Sequence, residues 1–222
     1  MTRNKNFIIF DYDGVIVDSE IIYHSTAIEE LKKYNIDINS DYIFSNFSGN
    51  SQKPFNEIIF EHFKVPLPEN FYPKLIQKIF DKAQQVKPID GVAKLLDYLS
   101  SKNIHYCIAS GGRKEWIQKT LEHTNLRKYF PNDMVFTSRD YVANGKPSPE
   151  IFLYALKTLG KTITESLVVE DSPNGLSAGV ASKIKTLAYI GGSHITEGYI
   201  RQIKNIPNVI PIKNILKVIE YI

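Results

Sequence analysis

The stretch Phe7-Ile8-Ile9-Phe10-Asp11-Tyr12-Asp13-Gly14-Val15-Ile16-Val17-Asp18-Ser19-Glu20 sets four apolar residues directly before two carboxylates spaced one residue apart. An apolar run that does not alternate reads as a strand buried on both faces, as in the interior of a parallel sheet. The C-terminal end of such a strand opens on the edge where α/β sheets bind ligands. In extended geometry Asp11 and Asp13 point to the same side, so their charges should crowd each other unless a cation or a shared proton relieves them. A turn closed by Gly14 would account for one acidic residue here, but it does not require two.

The rest of the chain supports a parallel α/β sheet. Short apolar runs alternate with helical patterns, which predicts further strands at Ile104 to Ala109, Met134 to Phe136, Ser166 to Glu170 and Thr186 to Ile190. Ser148-Pro149-Glu150 and Ser172-Pro173-Asn174 each offer a serine N-cap followed by a proline at the first helical position. Roughly ninety residues separate the first two strands, far more than a crossover helix needs. Helical patterns at Ile21 to Tyr34, Asp41 to Phe47, Lys53 to Phe63 and Glu69 to Lys87 fill that gap. They predict a helical insert tethered by hinges near Val15 to Ser19 and Val86 to Gly91.

Composition narrows the function classes. With 222 residues, 43% of them hydrophobic, the chain can bury a full core. A net charge of +3, with basic residues scattered among 24 acidic ones, argues against nucleic acid as a partner. The lone Cys107 lies in an apolar stretch and excludes an intrachain disulfide. The first apolar run stops at Asp11, too soon for a secretory signal, and no run has the length of a membrane span. These features lead us to expect a soluble cytoplasmic protein, a monomer or weak homo-oligomer without membrane contact.

The polar residues collect at the predicted strand ends: Asp11 and Asp13 after the first, Ser110-Gly111-Gly112 after the second, Lys146 before the Ser148 helix, Glu170 and Asp171 after the fourth. In a parallel sheet these loops share one edge, so widely separated groups can converge. Asp11, Asp13 and Asp171 offer hard oxygen ligands suited to magnesium. Ser110, the amides of Gly111 and Gly112, and the Lys146 ammonium suit phosphate oxygens. Taken singly, the Ser-Gly-Gly stretch could be a plain turn, Lys146 an exposed loop residue, and Glu170-Asp171 an acidic complement to a helix dipole.

Asp11-Tyr12-Asp13-Gly14-Val15-Ile16-Val17-Asp18-Ser19-Glu20, Ser110, Gly145-Lys146-Pro147 and Glu170-Asp171-Ser172 with Gly175 together resemble the motif set of the haloacid dehalogenase superfamily, in its phosphatase and β-phosphoglucomutase-like branch. The resemblance implies a Rossmann-like core over residues 1–17 and 88–222 and an α-helical cap over residues 18–87. It implies that Asp11 is the nucleophile that forms an aspartyl-phosphate. Asp13 would serve as acid and base and would bind magnesium through its main-chain carbonyl. Asp11, Asp171 and Glu170, the last directly or through water, would complete the metal site, with Ser110, Gly111 and Lys146 on the phosphate.

Two departures from the mutase pattern favour hydrolysis of a small phosphorylated metabolite over isomerisation. Mutase-like relatives have histidine at the position of Tyr23, whereas here the histidine is His24, turned by about 100° on a helix. They have arginine where this chain has Gln52, within the cap loop Phe47-Ser48-Gly49-Asn50-Ser51-Gln52. Ser48, Gly49, Gln52 and Lys53 are the expected specificity residues of the cap. A phosphosugar mutase is the alternative, and a non-catalytic phosphate sensor or interaction protein is the reading from a different class.

Overall fold

The computed structural model describes residues 5–47 and 54–222. Strand β1 (Phe7–Phe10) is followed by helices α1 (Glu20–Lys32), α2 (Ser40–Phe47), α3 (Phe55–Phe63) and α4 (Phe71–Asp81). The chain returns to the sheet through α5 (Val92–Ser101), then continues as β2 (His105–Ser110), α6 (Lys114–His123), β3 (Val135–Thr137), the single-turn α7 (Ser138–Tyr141) and α8 (Glu150–Leu159). Strand β4 (Ser166–Glu170), α9 (Pro173–Ala181), β5 (Lys185–Tyr189), α10 (Glu197–Lys204) and β6 (Val209–Ile212) complete the order.

Among the described residues all six strands are parallel, in the order β3-β2-β1-β4-β5-β6. The order reverses between β1 and β4, so Asp11 and the Glu170-Asp171 pair emerge side by side at the switch point of the sheet. The amide of Asp11 still donates to Val169 at 2.9 Å, which fixes that register one residue beyond β1.

The non-alternating run of β1 has the expected cause. Ile8 and Phe10 pack on one face with Leu95, Leu96 and Leu99 of α5 and Ile117 and Leu121 of α6, while Phe7 and Ile9 pack on the other with Ile151, Phe152 and Ala155 of α8. Burying each such side chain contributes roughly 1.5 to 3 kcal/mol. Among the described residues no helix is long and apolar enough to cross a membrane.

The insert between β1 and α5 is helical as expected, with α1 packed on both α2 and α4. Its two junctions are joined to each other: Asp18 N–H donates to Lys87 at 2.8 Å and Ile89 N–H to Ile16 at 3.0 Å. Three local expectations shift. The helical pattern drawn through Lys87 ends at Asp81 and passes into a 3₁₀ turn at Ala83–Gln85. The Ser148 helix begins one residue late, with Pro149 at its cap position, while Ser148 Oγ hydrogen-bonds the Glu150 carboxylate at 3.1 Å. The Ser172 cap forms as expected, its Oγ accepting from Gly175 N–H at 3.1 Å with Pro173 at the first turn. The sixth strand, Val-Ile-Pro-Ile, adds to the five that the sequence suggests. It is an edge strand, where Pro211 removes no hydrogen bond from the sheet interior.

Candidate active site

Four charged side chains meet at the C-terminal edge of β1 and β4. Lys146, only 5% exposed, donates from Nζ to Asp11 Oδ1 at 2.5 Å and to Glu170 Oε1 at 2.7 Å. Asp11, Glu170 and Asp171 are themselves buried, and one carboxylate oxygen from each falls within 4.8 Å of the others. Glu170 Oε2 accepts the Ser172 amide at 2.6 Å, so both of its oxygens already have donors. Gly175 leaves room for this carboxylate, since a side-chain methyl there would lie 1.5 Å from Glu170 Oε1.

Three carboxylates against one ammonium leave two negative charges in excess when all are ionised, and burying unpaired charge is costly. The titration directions express this. Burial raises Asp11 well above the usual carboxylate range, Lys146 pulls it down, and Glu170 and Asp171 push it up again. Burial, then the charges of Glu170 and Glu20, raise Asp171 likewise. Burial alone would lower Lys146, but Asp11 and Glu170 outweigh it and hold the ammonium above its ordinary value. A hard divalent cation fits this donor set in charge and in ligand type.

Asp13 is placed differently from what extended geometry suggests. Its carboxylate is not one of the group formed by Asp11, Glu170 and Asp171; Oδ1 accepts from Ser19 Oγ at 2.5 Å and from Trp116 Nε1 at 2.9 Å. The backbone departs from extended geometry here: β1 stops at Phe10, and Gly14 turns the chain with φ +80, a region that glycine enters most readily. Burial, then the charge of Glu20, pushes the Asp13 carboxyl up to about 6, against the lowering pull of the Ser19 and Trp116 hydrogen bonds. Such a group is suited to exchanging a proton near neutral pH.

Ser110, at the end of β2 and 1% exposed, accepts the Gly112 amide at 2.9 Å, which leaves its own O–H free to donate. Asp171 is braced from α10 and from the loop between β5 and α10. Tyr199 OH donates to its main-chain oxygen, and His194 Nε2 lies 2.9 Å from Oδ2, close but off the ideal hydrogen-bond direction. A methyl on Gly14 would come within 2.1 Å of Asp171 Oδ2, so glycine at that turn admits the carboxylate. Burial lowers the His194 pKa, which keeps the ring neutral and adds no countercharge. Residues that orient metal-ligating carboxylates typically change metal affinity by about 10- to 100-fold when removed. His194→Leu is therefore expected to weaken the binding of a divalent cation at the acidic cluster by about that factor in a calorimetric titration; unchanged affinity would show that His194 only fills space.

These groups line a cavity of about 540 Å³. Asp11, Asp13, Ser110, Gly111 and Lys146 form its floor, and Tyr23, Phe44, Phe47 and Tyr72 of the insert form the facing wall. Tyr23 thus faces the floor, while His24 is buried against Glu20 and the ring of His194. Ser48, Gly49, Gln52 and Lys53 lie outside the described residues. Ser19, Trp116, Tyr72 and His194 were not singled out from the sequence. The loop holding His194 also follows a strand, so the edge rule that located Lys146 would have reached it.

Residues 8–189 match the family model of the haloacid dehalogenase-like hydrolases, and the chain belongs to that family. Among curated relatives, it is 29% identical over 187 residues to a probable pseudouridine-5'-phosphatase of Drosophila melanogaster, covering 79% of this chain and 78% of that one. It is also 29% identical over 184 residues to a phosphorylated carbohydrates phosphatase of Thermotoga maritima, covering 81% and 82%. The crystal structure of a haloacid dehalogenase-like protein of unknown function from Agrobacterium tumefaciens superposes with a TM-score of 0.85 at 26% identity, covering 97% of this chain and 96% of that one.

Proposed function

We propose that this protein is a magnesium-dependent phosphatase of small organic phosphate monoesters, sugar-phosphate-like in their leaving groups, acting through an aspartyl-phosphate on Asp11. The observation that carries the reading is a buried nucleophile candidate, Asp11, paired with the single ammonium of Lys146 at the floor of a cavity sized for a small metabolite. Residues 18–87 act as the cap and residues 1–17 with 88–222 as the core. The relatives that dephosphorylate phosphorylated carbohydrates and pseudouridine phosphate support the class of substrate.

Asp11 attacks phosphorus and Asp13 gives its proton to the departing alcohol; Asp13 then takes a proton from the water that attacks the aspartyl-phosphate. Lys146 offsets charge between Asp11 and the transferring group, while Ser110 and the Gly111 amide hold its oxygens. Asp11, Asp171 and the main-chain carbonyl of Asp13 would hold the magnesium, with Glu170 reaching it through water because Lys146 and the Ser172 amide engage its oxygens. The bound cation would supply charge neutralisation to the phosphoryl oxygens. Wall residues from the cap select the leaving group, and Ser48, Gly49, Gln52 and Lys53 of the cap loop are assigned to the same role from the sequence.

The test is phosphate release from a panel of sugar phosphates, nucleotides and phosphoglycolate, with a bisphosphate-primed arm for isomerisation. Release that rises about a hundredfold or more with magnesium and collapses on chelation is expected. Chelator-insensitive release, or isomerisation outpacing hydrolysis, would overturn the reading.

A further inference from the structure

Trp116 is the only tryptophan of the chain and lies buried on α6. Its indole N–H and the Ser19 hydroxyl donate to the same oxygen, Asp13 Oδ1. A carboxylate oxygen offers about two lone-pair directions, so these two donors fill Oδ1. An indole N–H has no acceptor role and cannot take a proton back from Asp13. The other oxygen, Oδ2, sits beside Gly112, where a methyl would come within 3.0 Å of it. Asp13 and Gly112 both line the cavity that contains Asp11. The ring of Trp116 also packs on Phe80 of α4, with centroids 5.4 Å apart.

We propose that Trp116 is a positioning residue for proton transfer: by occupying Oδ1 together with Ser19, it leaves Oδ2 as the oxygen that delivers the proton to the leaving group. The inference rests on the phosphatase reading, in which Asp13 is the proton carrier. In that step a bond forms between an Asp11 oxygen and phosphorus while the bond from phosphorus to the leaving oxygen breaks. The electron pair stays on the leaving oxygen, which takes the proton of Asp13 Oδ2. Asp13 ends the step as a carboxylate, and the two donors on Oδ1 stabilise its new charge. Packing on Phe80 ties the indole to the helical insert, so the orientation of Asp13 is linked to the position of α4.

Leaving groups of different basicity separate this role from a structural one. An alkyl phosphate needs the proton, whereas p-nitrophenyl phosphate releases a stabilised anion without it. The comparison uses kcat/KM, which reports the steps through bond cleavage. Trp116→Phe keeps an aromatic ring against Phe80 and removes the donor together with part of the ring volume, and the packing loss should affect both substrates alike. For the alkyl substrate kcat/KM is expected to fall about ten- to hundredfold, the worth of one hydrogen bond to a charged group, and for the aryl substrate to stay within about twofold.

Asp13→Ala run in parallel keeps the two claims apart. If Asp13→Ala spares alkyl turnover, the proton-carrier reading falls and this inference with it. If Asp13→Ala abolishes alkyl turnover while Trp116→Phe slows both substrates alike, or neither, only the inference is overturned. Should Trp116→Phe fail to fold, the wild-type chain decides through its single indole N–H resonance in isotope-labelled protein. That resonance should move upfield in Asp13→Ala as the carboxylate partner is lost, and an unmoved resonance would overturn the proposal.

Discussion

Asp11→Asn is expected to fold, to retain the cavity, and to release phosphate about four orders of magnitude more slowly than the native chain. The amide matches the carboxylate in shape, so the contact with Lys146 loses charge and keeps its geometry. Removing the group that forms the covalent intermediate takes away the two-step route itself, which is why the loss should exceed that of any positioning residue. Phosphate release measured on one alkyl phosphate, with thermal unfolding as a fold control, checks it. A loss of only about tenfold would mean that Asp11 is an electrostatic helper and that another group attacks phosphorus.

Lys146→Ala carries the second largest effect, and here the structure changes the expectation that the sequence alone supports. Read as a loop residue, Lys146 could be removed with turnover lost and folding spared. Buried between Asp11 and Glu170, it is also a structural ion, and deleting one partner of such a cluster costs about 3 kcal/mol or more. Turnover should fall by about two to three orders of magnitude, because the transferring phosphoryl group loses its nearest fixed positive charge.

The stability deficit should depend on pH. In the native chain the Lys146 pKa is raised, so its contribution is fully present below the unfolded-state value of a lysine and constant across neutral pH. Lys146 is also what pulls the raised Asp11 pKa downward, so in the variant Asp11 rises further. A carboxyl whose folded pKa lies above its unfolded one stabilises the fold below the unfolded pKa and loses that contribution as pH rises through the folded value. The deficit of metal-free Lys146→Ala should therefore be largest near neutral pH and shrink toward pH ~5. Denaturant unfolding at both pH values reads this directly, and a deficit that grows on acidification would contradict the burial argument.

Much of the sheet and the floor of the site was legible in the sequence because each rests on a local signal. The run Phe7 to Phe10 does not alternate, since both of its faces are covered. Lys146 could be placed with Asp11 across 135 positions because parallel strands deliver their loops to one edge. Strand β6 escaped because Pro211 and partial exposure weaken its pattern. The absence of Asp13 from the group formed by Asp11, Glu170 and Asp171 was not legible either, since the backbone departs from extended geometry after Phe10. Trp116 escaped for a different reason. It shares an apolar helix face with Ile117 and Leu121, and such a pattern cannot show that the polar tip of the indole reaches a carboxylate 103 residues away. His24 was noted as a neighbour of the mutase position, and the structure turns it toward His194 instead.

The central claim is a covalent phosphate on Asp11, and chemical trapping addresses it most directly. Acid quenching during turnover followed by borohydride reduction converts an acyl phosphate to the alcohol and leaves free carboxylates untouched. Peptide mass analysis should then find homoserine in place of Asp11, only when a phosphate ester and magnesium are both supplied. Reduction at Asp13 or Asp171 instead, or an unmodified Asp11 in a reaction that is releasing phosphate, would contradict the account.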